Sequence, residues 1–393
     1  MESAPHGGLL QYAAQLADAL AARGHDVELL TARNNELLRH TGPARMRPIL
    51  VAAMPRPSEP PSGLHYLARR TGIAVRLVRA AARTIWALRQ GNYDAALLID
   101  DVNVPLAAFA ALVLAFVPGR PALVAVCHEP RPRNRWAGGE LYSSSRLLLA
   151  LLRRVYARMD LVLVHGERSR DEFAGAWPPV PLAVIPHGDA RIVAADSPPP
   201  ADEERVLFFG DWRRAKGLHE LLAAFDLLAL RLPRARLTIA GTPSPDGDPD
   251  LVRRWAASRS GQVEVIDHYV PLDAVPAIFA RARVVAAPYL AASQSGVVHL
   301  AMTMSRAVVA SDVGELGRAV VDGETGRLVP AGDVEALAAA LEELVSNPAL
   351  AVRLGAEGRR RVLAESSWTI VAERVEAALL ALLPADRGLC SRA

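Results

Sequence analysis

Among the 45 lysine and arginine side chains, only Lys216 is a lysine. It stands in "FFGDWRRAKG" (208–217), where an apolar run ends at Gly210 and a helical pattern begins near Gly217. Arginine offers a planar fork to two oxygens, whereas lysine is a compact point charge on a flexible stem. Arg213 and Lys216, set after a strand, therefore suit a phosphate ligand, although a solvated basic loop fits the same residues. Two more glycine turns stand ahead of helical patterns. In "HGGLLQY" (6–12), Gly7 and Gly8 would let backbone N–H groups approach an anion, or would form an ordinary turn. In "APYLAASQSGVV" (287–298), a strand ends at Tyr289 and a polar turn with Gln294 and Ser295 opens a helix. The amides of Gly296, Val297 and Val298 would be helix-start donors, with Ser293 or Ser295 as a plain N-cap the simpler alternative. Taken together, the three turns suit one diphosphate. There is no Walker sequence, no G-x-G-x-x-G and no metal-ligand spacing, so neither cofactor nor metal is expected.

Positioning such turns requires strands that end beside them. Short apolar runs alternate with helical patterns: 25–31, 47–53, 94–100, 121–128, 160–166 and 181–188, then 205–210, 235–241, 262–267, 283–289 and 307–311. Several lack a period of two, as parallel strands buried on both faces do. The stretch "DARIVAADSPPPADEE" between the two sets has no period and is rich in proline and acid. The expected fold is α/β, two doubly wound Rossmann-like domains with the ligand cleft between them. The domains read as 1–190, a linker at 191–204, a second domain at 205–366, and a C-terminal helix and tail at 367–393 that returns toward the first domain. A first strand should precede Gly7, and "MESAPH" cannot supply it; the true start is expected upstream.

At 393 residues, 51% hydrophobic and 22% charged, the chain suits a two-domain globular protein. Cys127 and Cys390 show no pairing pattern, which fits a reducing cytoplasm. The apolar run "VPLAAFAALVLAFVP" (104–118) is shorter than the ~20 residues a membrane span needs. Residues 1–190 hold 22 arginines against 16 acids, a net +6, while the rest is net −3. A basic first half points to an anionic partner or membrane surface, or to chance scatter of arginine.

The ordered segments "GGLLQYAAQLADALAARGHDVELLT", "LVAVCHEP", "LVLVHGERSR", "VIPHGD", "LFFGDWRRAKGLHELLAAF", "LTIAG", "APYLAASQSGVVHLAM" and "VVASDVGELGRAVVDGETGRLVPAGDVEALAAAL" span 6–341. Their set resembles the family 4 glycosyltransferases, retaining enzymes of the GT-B type. The resemblance implies a nucleotide-diphosphate sugar as donor, with Arg213 and Lys216 on its diphosphate as groups of the catalytic step. It implies that the amides of Gly296 and Val297 hold the same diphosphate, with Gly7, Gly8, Gly210, Gln294, Ser295 and Val298 around the donor. It also implies that His128, at the end of "VAVCH", lies near the donor sugar, and that "VIDHYV" (265–270) contacts the base. Without the resemblance, His128 reads as a strand-end histidine with no role. The family's two glutamates, eight positions apart, are replaced by Ala292 and Leu300. Gln294 or Ser295 is the candidate substitute in this "SQSGV" branch. Asp211 stands where many members carry arginine, and the usual Gly and Pro before "VVAS" are Ser305 and Ala307.

The acceptor is unidentified: a glycan, a small molecule or a lipid-linked compound. Arginine-rich "LARRTGIAVRLVRAAARTIWALRQ" (67–90) and "HEPRPRNRW" (128–136) suggest peripheral contact with an anionic membrane face, against a helix whose arginines simply face water. No nucleic-acid partner is expected. A non-catalytic nucleotide-sugar-binding or partner protein with a degenerate site is the rival reading. An inverting GT-B enzyme or a sugar-nucleotide epimerase is a third.

Overall fold

The computed structural model describes residues 7–38, 40–50, 79, 82–99, 117–131, 146–193 and 203–382. The segment 1–6, most of 67–90, most of the apolar run at 104–118, the basic residues 132–136 and the linker's 194–202 lie outside them. The described strands are β1 (Glu28–Ala32), β2 (Arg45–Leu50), β3 (Ala95–Leu98), β4 (Ala122–Cys127), β5 (Leu161–His165), β6 (Leu182–Ile185), β7 (Arg205–Phe209), β8 (Arg236–Ala240), β9 (Val263–Ile266), β10 (Val284–Ala287), β11 (Ala307–Ser311) and β12 (Arg327–Val329). Every pairing among them is parallel, as apolar runs without alternation require.

The chain forms two units. The second is His187–Ser367, and the helix Trp368–Leu382 belongs to the first.

In the second unit the sheet order is β12-β11-β10-β7-β8-β9. Numbered from β7 and read from the other edge, this is 3-2-1-4-5-6, the doubly wound order whose crevice opens where the winding reverses. That switch point lies between β7 and β10, which pair through Val206 and Val284. Both faces of the sheet are covered. Val206, Phe208, Leu237, Ile239, Val284 and Val309 face the helices Leu218–Arg231 and Val334–Ser346. The alternate residues Leu207, Val285 and Val308 face the helices Val275–Ala280 and Gly296–Thr303. Asp333 caps its helix by accepting from Ala336 N at 2.9 Å.

In the first unit β3-β4-β5-β6 form one sheet and β1-β2 a separate pair. The four-stranded sheet carries Leu123, Ala125, Val162 and Val164 into a core with Tyr156, Phe173 and Trp177. The helix Gly8–Ala22 buries Leu10, Ala13, Ala14 and Leu16, and the helix Trp368–Leu382 packs against it and against β6. Its fastening is electrostatic at one end: Glu376 bonds Arg23, and also His25 Nε2 at 2.8 Å.

Several bounds differ from the sequence reading. β1 starts at Glu28 rather than 25 and β2 at Arg45 rather than 47, where Arg45 and Arg47 pair with Asp26 and Glu28 beside β1. β12 was not anticipated: three residues between turns give no period to read, yet Arg327 is tied to Glu343 and the strand completes the sheet edge.

Candidate active site

The two strands that flank the switch point deliver the two polar turns. After β7 the chain turns at Gly210, whose φ of 124° only glycine holds comfortably. Residues 214–216 form one 3₁₀ turn, and Gly217 ends it in a left-handed conformation. A Cβ on Gly217 would lie 1.7 Å from the carbonyl oxygen of Pro288, so glycine is what lets the loop after β7 close onto the loop after β10. Leu290 N donates to Ala215 O at 2.9 Å across the same contact.

This closure sorts the three cations. Arg214 makes a bidentate pair with Glu220, at 2.7 and 2.6 Å. Burial alone would raise the Glu220 carboxyl, but the bonds from Arg214 outweigh it and hold it below its ordinary value. Arg213 sits 2.6 Å from Asp211, which partly neutralises it. Lys216 has no carboxylate partner among the described residues. Its ammonium instead stands over the ring of Tyr289, 4.0 Å from the centroid. Tyr289 is buried, and its hydroxyl accepts from Ser295 Oγ at 3.2 Å. The lysine, the ring and the turn before the next helix are thus one packed unit.

Ser295 caps the helix Gly296–Thr303, which resolves the alternative left open in the sequence: it is an N-cap. Its Oγ takes the amide of Val298 at 3.3 Å, so Val298 is not an open donor, a correction to the set of three amides. Gly296 is exposed, and the amides of Gly296 and Val297 have no acceptor among the described residues. Gln294 is half-buried beside them. His187 lies against Gly296, its Cε1 3.4 Å from where a Cβ would stand, and stacks on His299 at 4.8 Å. Burial pushes the His299 imidazole below its ordinary value. Neither histidine was singled out in the sequence, where each stood in a run without a readable role.

Of the replaced carboxylates, Leu300 is buried in the apolar core and Ala292 is packed partly against it. Gly314, in a left-handed conformation, backs onto the carbonyl of Ala292, and Glu315 N donates to Ser293 O at 2.8 Å.

In the first unit, Gly7 N donates to Glu36 Oε1 at 2.9 Å, and Gln11 binds the same oxygen. A carboxylate of the chain itself thus occupies the helix start that the sequence reading offered to an anion, and Gly8 begins the helix. His128 follows β4, 5% exposed, among aromatic rings. Among the described residues no group of His, Cys, Asp and Glu is arranged to hold a metal ion.

A doubly wound sheet with a cation and helix-start amides at its switch point is an arrangement that suits a phosphate-bearing ligand. Residues 6–188 match the family described as Glycosyltransferase Family 4, and residues 203–347 match Glycosyl transferases group 1. The glycogen synthase of Mycobacterium tuberculosis is 28% identical over 97% of this chain and 92% of its own length. The alpha-maltose-1-phosphate synthase of Mycolicibacterium smegmatis is 30% identical over 64% of this chain and 70% of its own. In fold, the chain resembles Anabaena HepE in complex with UDP-glucose, with TM-score 0.72, 16% identity, and coverage of 97% and 98% of the two chains. The chain belongs to the family 4 glycosyltransferases.

Proposed function

We propose that the protein moves a sugar from a nucleotide-diphosphate sugar to an acceptor with retention of anomeric configuration. The observation that carries the reading is that both switch-point loops converge on Tyr289: Lys216 stands over its ring, and Ser295, the cap of the helix that starts at Gly296, bonds its hydroxyl. Breaking the anomeric C–O bond leaves negative charge on the diphosphate and positive charge on the sugar. An ammonium and two fixed amides stabilise that leaving group in place, without reorganising as charge develops. Arg213 contributes less than Lys216, because Asp211 already shares its charge. We assign His128 to the sugar end of the donor, and Gly210 and Gln294 to the surroundings of its diphosphate. Because the amides and Lys216 supply the neutralising charge, the transfer is proposed to run without a metal, and activity is expected to survive EDTA.

The test is turnover across UDP-, GDP- and ADP-sugars, with the anomeric configuration of the product read by NMR. Retention is expected, and an inverted product would refute the retaining assignment. Loss of both family carboxylates at Ala292 and Leu300 favours a second reading, a nucleotide-sugar-binding protein without turnover; tight donor binding with no transfer or hydrolysis would select it.

A lipid-linked or anionic acceptor, met at a membrane face, is proposed from the first unit's surface. Trp86 is 56% exposed on the helical run 82–90. Arg79, Arg83 and Arg89 are exposed with it, none having a carboxylate partner among the described residues. An exposed aromatic ringed by cations suits an anionic lipid interface. No helix among the described residues is long and apolar enough to cross a membrane. Flotation with anionic phosphatidylglycerol vesicles is expected to carry wild type, and Trp86→Ala less of it. Equal recovery with neutral and anionic vesicles would remove the proposal.

A further inference from the structure

Four rings meet in the first unit at the carboxyl ends of β4 and β5. Cys127 and Val164 are register partners, so the next residues, His128 and His165, stand side by side. Their rings lie 4.6 Å apart, tilted by 40°. Tyr12, from the helix Gly8–Ala22, sets its edge against both, at 4.6 Å and 89° to His128 and 5.4 Å and 73° to His165. Trp368, the first residue of the helix Trp368–Leu382, lies 5.0 Å from Tyr12 at 70°. All four residues are buried.

We infer that Tyr12, His165 and Trp368 are positioning residues that fix the ring of His128, so that the C-terminal helix completes the first unit's site. The inference rests on the assignment of His128 to the donor sugar. Edge-to-face contacts set ring orientation as well as area buried, so the cluster leaves His128 little freedom to rotate. Burial raises the Tyr12 phenol, so its edge contact stays with the neutral ring. A reacting group displaced by about 1 Å can lose on the order of a hundredfold in rate, which makes the distant Trp368 a determinant of chemistry. Nothing in the sequence signals this: Trp368 is more than two hundred positions from His165 and reads as an ordinary helix residue.

The test uses the full chain and the sugar nucleotide that wild type turns over. Trp368→Ala and His165→Ala are expected to lower kcat per folded molecule by about tenfold or more with donor KM nearly unchanged, and Trp368→Phe to restore most of it. The ¹⁵N imidazole signals of His128 are expected to broaden or shift in the alanine variants and to return in Trp368→Phe. Trp368→Ala that melts earlier but keeps wild-type kcat per folded molecule would overturn the inference, as would failure of phenylalanine to restore it. Full activity in His128→Ala would instead overturn the assignment of His128 itself, and the inference with it.

Discussion

Lys216 is held by Tyr289 rather than by a carboxylate, and that is why its charge remains available to a ligand. A side chain on a half-buried loop contributes little to the fold, so Lys216→Ala is expected to leave unfolding free energy within about 0.5 kcal/mol of wild type. Its effect on kcat is expected to be on the order of a hundredfold, the scale of removing one preorganised donor to a developing charge. Lys216→Arg keeps the charge but puts a planar fork where a compact ammonium sat over the ring, so it too should lower kcat; unchanged kinetics would show that charge alone matters. Ser305 adopts φ 55°, a left-handed geometry that costs a non-glycine residue roughly 1 kcal/mol. Ser305→Gly, which returns the family's usual residue, is expected to raise stability by up to about 1 kcal/mol in urea titrations. No gain would show that the strain is relieved elsewhere. The sequence made the singularity of Lys216 legible but not its mechanism, because a cation over a ring requires two strand ends to meet.

At the scale of elements, the apolar runs located eleven of the strands because buried parallel strands need continuous apolar side chains. They did not show the strand order, which depends on which crossovers go to which side, nor β12, which is too short to carry a pattern. Loop chemistry was half legible. The glycines at 210, 217 and 296 marked the turns, but only packing shows Arg214 locked to Glu220 and the amide of Val298 taken by Ser295. The Arg214–Glu220 pair gives a pH dependence. The Glu220 carboxyl is held below its ordinary 4.5, so its stabilisation is fully present above that value and is lost as pH falls through the lower, folded-state value. Glu220→Gln should therefore be less stable than wild type at pH 7, with the gap closing as pH drops below about 4.5 in thermal melts. A gap independent of pH would assign the loss to packing.

At the scale of the whole molecule, the second unit runs His187–Ser367 and the helix Trp368–Leu382 belongs to the first. Each unit has its own core, so the site of each can be argued from its own sheet. The identity of the donor's base and of the acceptor was not legible, because both depend on loop shapes that one sequence does not encode as a pattern. The proposed function places the diphosphate of a sugar nucleotide at the switch point of the second unit, against Lys216. Calorimetric titration of wild type and Lys216→Ala with UDP, GDP and ADP tests it most directly. One of these should bind wild type, and bind Lys216→Ala at least about tenfold more weakly, a loss of about 1.4 kcal/mol, with the melting temperature unchanged. Equal affinity in the two proteins, or no binding of any nucleotide to wild type, would contradict the account.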